Sequence, residues 1–230
     1  MDLVCTKISN NTSSALLLIT FALTMKNKET VRYVALGDSY TICEGAKWEE
    51  SWPYLLTQNL NKAGIAIELI ANPSKTGWTT QQLIDNALPV FDSSSPAFAT
   101  ILIGVNDWAQ LETKENFQKN LRFILDHVQR KVKNNLVLIT IPDFSVTPEG
   151  YKYAKGRNIS EGIQEFNTII KEEARKRKLK CADLFPLTLG MKDHPELIAT
   201  DGLHPSAKEY ALWEKLIFPA AHELLNGMME

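Results

Sequence analysis

From Val31 to the C-terminus, short apolar runs alternate with longer stretches whose apolar residues recur at helical spacing, and this alternation restricts the fold more than any other feature of the chain. Runs that are apolar throughout suit strands buried on both faces, and strands separated by helices suit parallel pairing through crossovers. The runs predict strands at 31–36, 65–71, 100–103, 136–141 and 180–183. Between them, Ser51-Trp52-Pro53 reads as a helix cap with proline in the first turn, and Leu55, Leu56, Leu60 and Ala63 share one face before Gly64 ends the helix. Phe117, Leu121, Ile124, Leu125 and Val128 mark another helix, Ile163, Phe166, Ile169 and Ile170 a third, and Tyr210, Trp213, Leu216 and Ile217 a closing one. The expected fold class is α/β, with a five-stranded doubly wound sheet in one domain over residues 31–230, preceded by an N-terminal extension, residues 1–30. Residues 142–158 hold no sustained period and form the longest loop, and long loops at the carboxyl ends of strands are where such sheets build sites.

Composition narrows the partners. A chain of 230 residues that is 44% hydrophobic can bury one substantial core. Its formal net charge of -2, with no compensating Lys/Arg stripe, provides no field for a phosphate backbone, so nucleic acid is not an expected partner. The basic stretch 171–180 includes Glu172 and Glu173 at the end of a helical pattern and reads as a solvated face. Three cysteines, Cys5, Cys43 and Cys181, form no CxxC pair, which indicates neither a disulfide framework nor a thiolate zinc site. His127, His194 and His222 lack metal-ligand spacing, so no metal is expected.

A reducing compartment fits best, and the cytoplasm is the favoured location. The apolar run 15–25 is too short to span a bilayer, is not followed by a small-residue cleavage site, and has Asp2 in its leader. Export through a weak signal-like segment is the alternative. Met25, just ahead of the first strand, is a second candidate for the natural start.

Four fragments carry the chemistry. Gly37-Asp38-Ser39 follows the first predicted strand, which places a serine on a turn at the sheet's carboxyl edge, with Gly37 expected to provide backbone freedom. Asp201 and His204 stand three positions apart before the last helix, and an imidazole oriented by a carboxylate is what a serine hydroxyl needs to lose its proton. A tetrahedral oxyanion needs preorganised donors. Gly77, after the second strand, offers a backbone N–H where a Cβ would obstruct approach, and Asn106, after the third, offers a side-chain amide. Singly, each fragment is an ordinary turn or cap. Together and in order, each lies at a strand end or before the last helix, where all can gather on one edge of the sheet.

The set Gly37-Asp38-Ser39, Gly77, Gly104-x-Asn106-Asp107 and Asp201-x-x-His204 resembles the four blocks of the GDSL or SGNH serine hydrolases, an esterase and lipase family named for the Ser, Gly, Asn and His they carry. The resemblance covers nearly everything from Val31 onward. It implies a flavodoxin-like three-layer α/β/α sandwich with a mainly parallel sheet, Ser39 as nucleophile, His204 as base and Asp201 as its orienter. It further implies an oxyanion hole from the N–H groups of Ser39 and Gly77 with the Asn106 amide, and no cofactor. The implied substrates are small carboxylic esters: short acyl, acetyl-sugar or lysolipid-like. An acyltransferase with the same residues, or a non-catalytic carbohydrate- or lipid-binding module, is the alternative. Tyr40 stands where the family name has Leu, and Cys43 where glycine is frequent. A Cys43 nucleophile is disfavoured because no glycine precedes it in a strand-end turn. Trp78 and Trp108 adjoin the blocks and either wall a substrate pocket or pack into the core. Asp38, Asp107 and Asp183 are assigned to turn hydrogen bonding.

Overall fold

The computed structural model describes residues 29–228. The extension 1–30, the run 15–25 and the candidate start at Met25 therefore lie wholly or almost wholly outside the described residues. Five strands form one sheet: β1 (Val31–Gly37), β2 (Ile67–Ala71), β3 (Phe98–Leu102), β4 (Leu136–Ile139) and β5 (Lys180–Ala182). All pairings are parallel and the order is β2-β1-β3-β4-β5, the flavodoxin-like arrangement. The four long helices are α1 (Trp52–Lys62), α2 (Lys114–Val132), α3 (Ile159–Arg177) and α4 (Ala207–Asn226). Helix α1 packs against α4, and α2 against α3, so the sheet is sandwiched between two helical layers.

Several strand ends differ from the sequence expectation by one to two residues, and at two of them the local reason is visible. Strand β2 begins at Ile67 rather than Ile65 because Ile65 N–H reaches back to Leu60 O (3.0 Å) and Gly64 N–H to Asn61 O (3.0 Å), with Gly64 at φ +88. This left-handed helix stop captures the two residues ahead of the strand. Strand β4 ends at Ile139 because Asn167, buried on α3, takes over the backbone of Ile141: its Oδ1 accepts from Ile141 N (2.7 Å) and its Nδ2 donates to Ile141 O (2.8 Å). A helix side chain here satisfies polar groups that the sheet no longer pairs.

The basic stretch 171–180 is more than a solvated face. Glu173 is 3% exposed and accepts from Arg122 on α2 (2.9 Å) and Arg177 (3.3 Å), joining the two helices. Burial pushes its carboxyl up, but the two guanidinium groups outweigh burial and hold it below the usual range.

Because β1 is flanked by β2 and β3, the connections leave β1 and β3 in opposite directions. The carboxyl ends of these two strands bound the crevice in which doubly wound sheets hold ligands. Ser39 and Asn106 lie in the turns that follow those two ends.

Candidate active site

Gly37, the last residue of β1, is required by space. A Cβ there would lie 2.0 Å from Thr41 Oγ1 and 2.3 Å from Leu102 O. Its φ is not in the left-handed region, so the expected need for backbone freedom is replaced by close approach of the next turn to β3. Asp38 then caps a one-turn helix, Ser39–Ile42, by accepting from Tyr40 N (3.0 Å). Cys43 closes that turn at φ 60, and Glu44 N–H returns to Ser39 O (2.9 Å). The left-handed conformation is why glycine suits this position. Cys43 is buried, and burial pushes its thiol well above the usual range, which removes the thiolate character a nucleophile needs.

Before α4, the chain folds back on itself through Ala199 N–H to His204 O (2.8 Å) and Gly202 N–H to Ala199 O (3.0 Å). Asp201 Oδ1 accepts from the N–H groups of Leu203 and His204, both at 2.9 Å, while Oδ2 lies 2.6 Å from His204 Nδ1. One carboxylate therefore builds the turn and orients the imidazole. Burial opposes its charge, but the Leu203 N–H and the His204 ring outweigh burial and hold its carboxyl below the usual range. With Nδ1 donating to Asp201, Nε2 is the ring nitrogen left to accept a proton. The Tyr40 ring meets the imidazole edge-on at 5.9 Å and rests against Trp213 at 5.7 Å, so the turn that carries Ser39 also supports the histidine.

The other two blocks are tied to each other. Asn106 Nδ2 donates to Trp78 O (3.0 Å) and, at a longer 3.4 Å, to Asp38 Oδ2. Gln110 Nε2 donates to Gly77 O (3.0 Å), and Asp107 accepts from Thr80 N (2.9 Å) and from the Thr80 hydroxyl. Asp38 and Asp107 thus link blocks as well as turns. Burial pushes the Asp38 carboxyl up to about 8 against the Tyr40 hydrogen bond, and Asp107 up to about 6 against its Thr80 contacts. Asp183, expected in a turn, accepts from Thr140 Oγ1 (2.9 Å) and Lys171 Nζ (2.6 Å). Gly77 sits at φ +82 with nothing within 4 Å of an added Cβ, so its need for glycine is conformational and not one of protein crowding.

A cleft of about 460 Å³ opens over this edge, and Ser39, Gly77, Asn106 and His204 all line it. Its size is that of a site for a small molecule. Ser39 is 5% exposed, and its hydroxyl makes no direct hydrogen bond to His204 among the described residues. Trp78 and Trp108 do not line the cleft. Trp108 is buried behind it, and Trp78, packed on the core, offers the site its carbonyl instead of its ring. The facing wall comes from four residues of the loop 142–158, none of which the sequence singles out: Phe144, Lys152, Tyr153 and Lys155. Among the described residues, no group of three His, Cys, Asp or Glu is placed to hold a metal, and no helix is long and apolar enough to cross a membrane.

Residues 35–212 match the model of the GDSL-like Lipase/Acylhydrolase family. No curated protein matches the sequence. Solved structures share the fold at low identity. The structure of TesA superposes with a TM-score of 0.68 at 21% identity, covering 84% of this chain and 99% of that one. The esterase EstA from Pseudoalteromonas sp. gives 0.65 at 21%, covering 85% and 98%, and the Clostridium thermocellum family 3 carbohydrate esterase gives 0.67 at 21%, covering 87% and 99%. With its family model matched over most of its length, the chain belongs to the GDSL-like lipase/acylhydrolase family of carboxylic ester hydrolases.

Proposed function

We propose that the protein hydrolyses small carboxylic esters through an acyl-enzyme on Ser39. The observation that carries the reading is the 2.6 Å contact of His204 Nδ1 with Asp201 at a cleft that also holds Ser39. His204 Nε2 takes the hydroxyl proton as Ser39 Oγ bonds to the ester carbonyl carbon, and Asp201 stabilises the imidazolium that forms. The oxyanion is held by the N–H groups of Ser39 and Gly77 and by Asn106 Nδ2, which exchanges its long 3.4 Å contact with Asp38 for the substrate oxygen. The tetrahedral intermediate collapses, the alcohol departs with the proton from His204, and a water that His204 deprotonates then releases the acid. The absence of a Ser39–His204 hydrogen bond before substrate arrives is compatible with these roles, because such contacts tighten on binding.

The test is turnover of p-nitrophenyl acetate by wild type beside Ser39→Ala and His204→Ala. Each variant is expected to lose about a thousandfold or more in kcat while remaining folded. Unchanged turnover in Ser39→Ala overturns the assignment.

A further inference from the structure

Arg157, where the loop 142–158 runs into α3, is fixed more firmly than a surface arginine needs to be. Its Nη1 donates to Trp108 O (2.8 Å), its Nε to Ala154 O (3.2 Å), and its guanidinium lies 3.8 Å from the centroid of the Trp108 ring. Its Nη2 is buried with no hydrogen-bond acceptor among the described residues, which leaves the indole face as the compensating partner. On α3, Gly162 lets the indole lie flush: a Cβ there would be 1.9 Å from Trp108 Nε1. Trp108 in turn meets Phe144 edge-on at 5.8 Å, and Phe144 meets Tyr153 edge-on at 6.4 Å. Phe144 and Tyr153 line the cleft, whereas Trp108 and Arg157 do not.

The chain of contacts Arg157, Trp108, Phe144, Tyr153 therefore runs from outside the cleft to its wall. Tyr153 is 42% exposed and has no strand or helix of its own to order it beyond a single 3₁₀ turn. We propose that Arg157 is a specificity-determining positioning residue: by pinning Trp108 it holds Phe144 and Tyr153 as the apolar wall on which the larger apolar part of the ester packs. This rests on the reading of Ser39 as an ester-cleaving nucleophile. Arg157 touches neither the substrate nor the reacting atoms, so it governs binding and leaves the chemistry at Ser39 alone.

Trp108 also belongs to the one-turn helix Val105–Ala109 that carries Asn106, and a purely structural Arg157 would act through that amide. The two routes separate in kinetics. With p-nitrophenyl butyrate, Arg157→Ala is expected to raise KM about fivefold with kcat within about twofold, since binding common to ground and transition states is what is lost. Tyr153→Ala, exposed and outside the core, is expected to reproduce that KM rise without risk to folding. Arg157→Lys is expected to recover only part of it, because an ammonium cannot stack as a planar guanidinium does. A fall in kcat at unchanged KM in Arg157→Ala, or an unchanged KM in Tyr153→Ala, overturns the proposal. Retained activity in Ser39→Ala overturns the reading beneath it, an outcome the wall variants cannot mimic.

Discussion

The strand-end side of the cleft and its facing wall are built by different means. Ser39, Gly77 and Asn106 sit on tight turns, cross-linked through Asp38, Asp107 and Gln110, with Ser39 at the floor and backbone carbonyls used as anchors. The wall is a loop whose rings, Phe144 and Tyr153, are held by edge contacts and by a cation stacked on Trp108. The first side is preorganised by hydrogen bonds with directional requirements, which suits the oxyanion role proposed for it. The second is held by ring contacts and by an arginine that reaches it only through Trp108, an arrangement that shapes a binding surface at a distance from Ser39.

Substitutions on the two sides are expected to differ in kind. Asn106→Ala removes a side-chain donor and is expected to lower kcat about a hundredfold with KM nearly unchanged, measured on p-nitrophenyl acetate. A fall no larger than that of Tyr153→Ala would erase the distinction. Gly77→Ala is a milder intervention. Nothing crowds the new methyl, so the cost is that of holding a non-glycine residue at φ +82, about 1 kcal/mol in thermal or denaturant unfolding. A backbone N–H displaced by relaxation of that strain is expected to lower kcat about tenfold. An unfolding midpoint that falls with kcat intact would mean that the Gly77 N–H takes no part in the reaction. The wall variants come last, moving KM alone.

The same division explains what the sequence discloses. The alternation of apolar runs and amphipathic stretches carries the parallel sheet, because burial on two faces imposes itself on every residue of a strand. The blocks around Ser39, Gly77, Asn106 and His204 are readable because each is short and each sits at a place the topology predetermines. Strand limits were less accessible. The two residues of the β2 region lost to the Gly64 stop, and the Asn167 clamp that ends β4, depend on backbone geometry and on a partner far along the chain. The reason for Gly37 was legible as a glycine requirement but not as crowding, since Leu102 approaches it only in the folded sheet.

The wall was the least legible part. Trp108 is close to Asn106 in sequence, yet the α3 glycine on which its ring rests is remote, and the result is a tryptophan behind the cleft instead of in it. The one available signal was Gly162 itself. A glycine inside an otherwise strong helix costs about 1 kcal/mol against alanine and so marks a place where something must come close. Arg157 gave no signal of its own, because a basic residue before a helix has many uses.

Covalent labelling tests the central claim most directly. A fluorophosphonate, which reacts with a serine only where a base activates it and donors hold the resulting oxyanion, is incubated with the protein and the adduct is located by peptide mass spectrometry. The expected result is a single phosphonyl group on the peptide containing Ser39, esterase activity lost in proportion to labelling, and no adduct in Ser39→Ala. Labelling of a different residue, or full activity after Ser39 is modified, would contradict it.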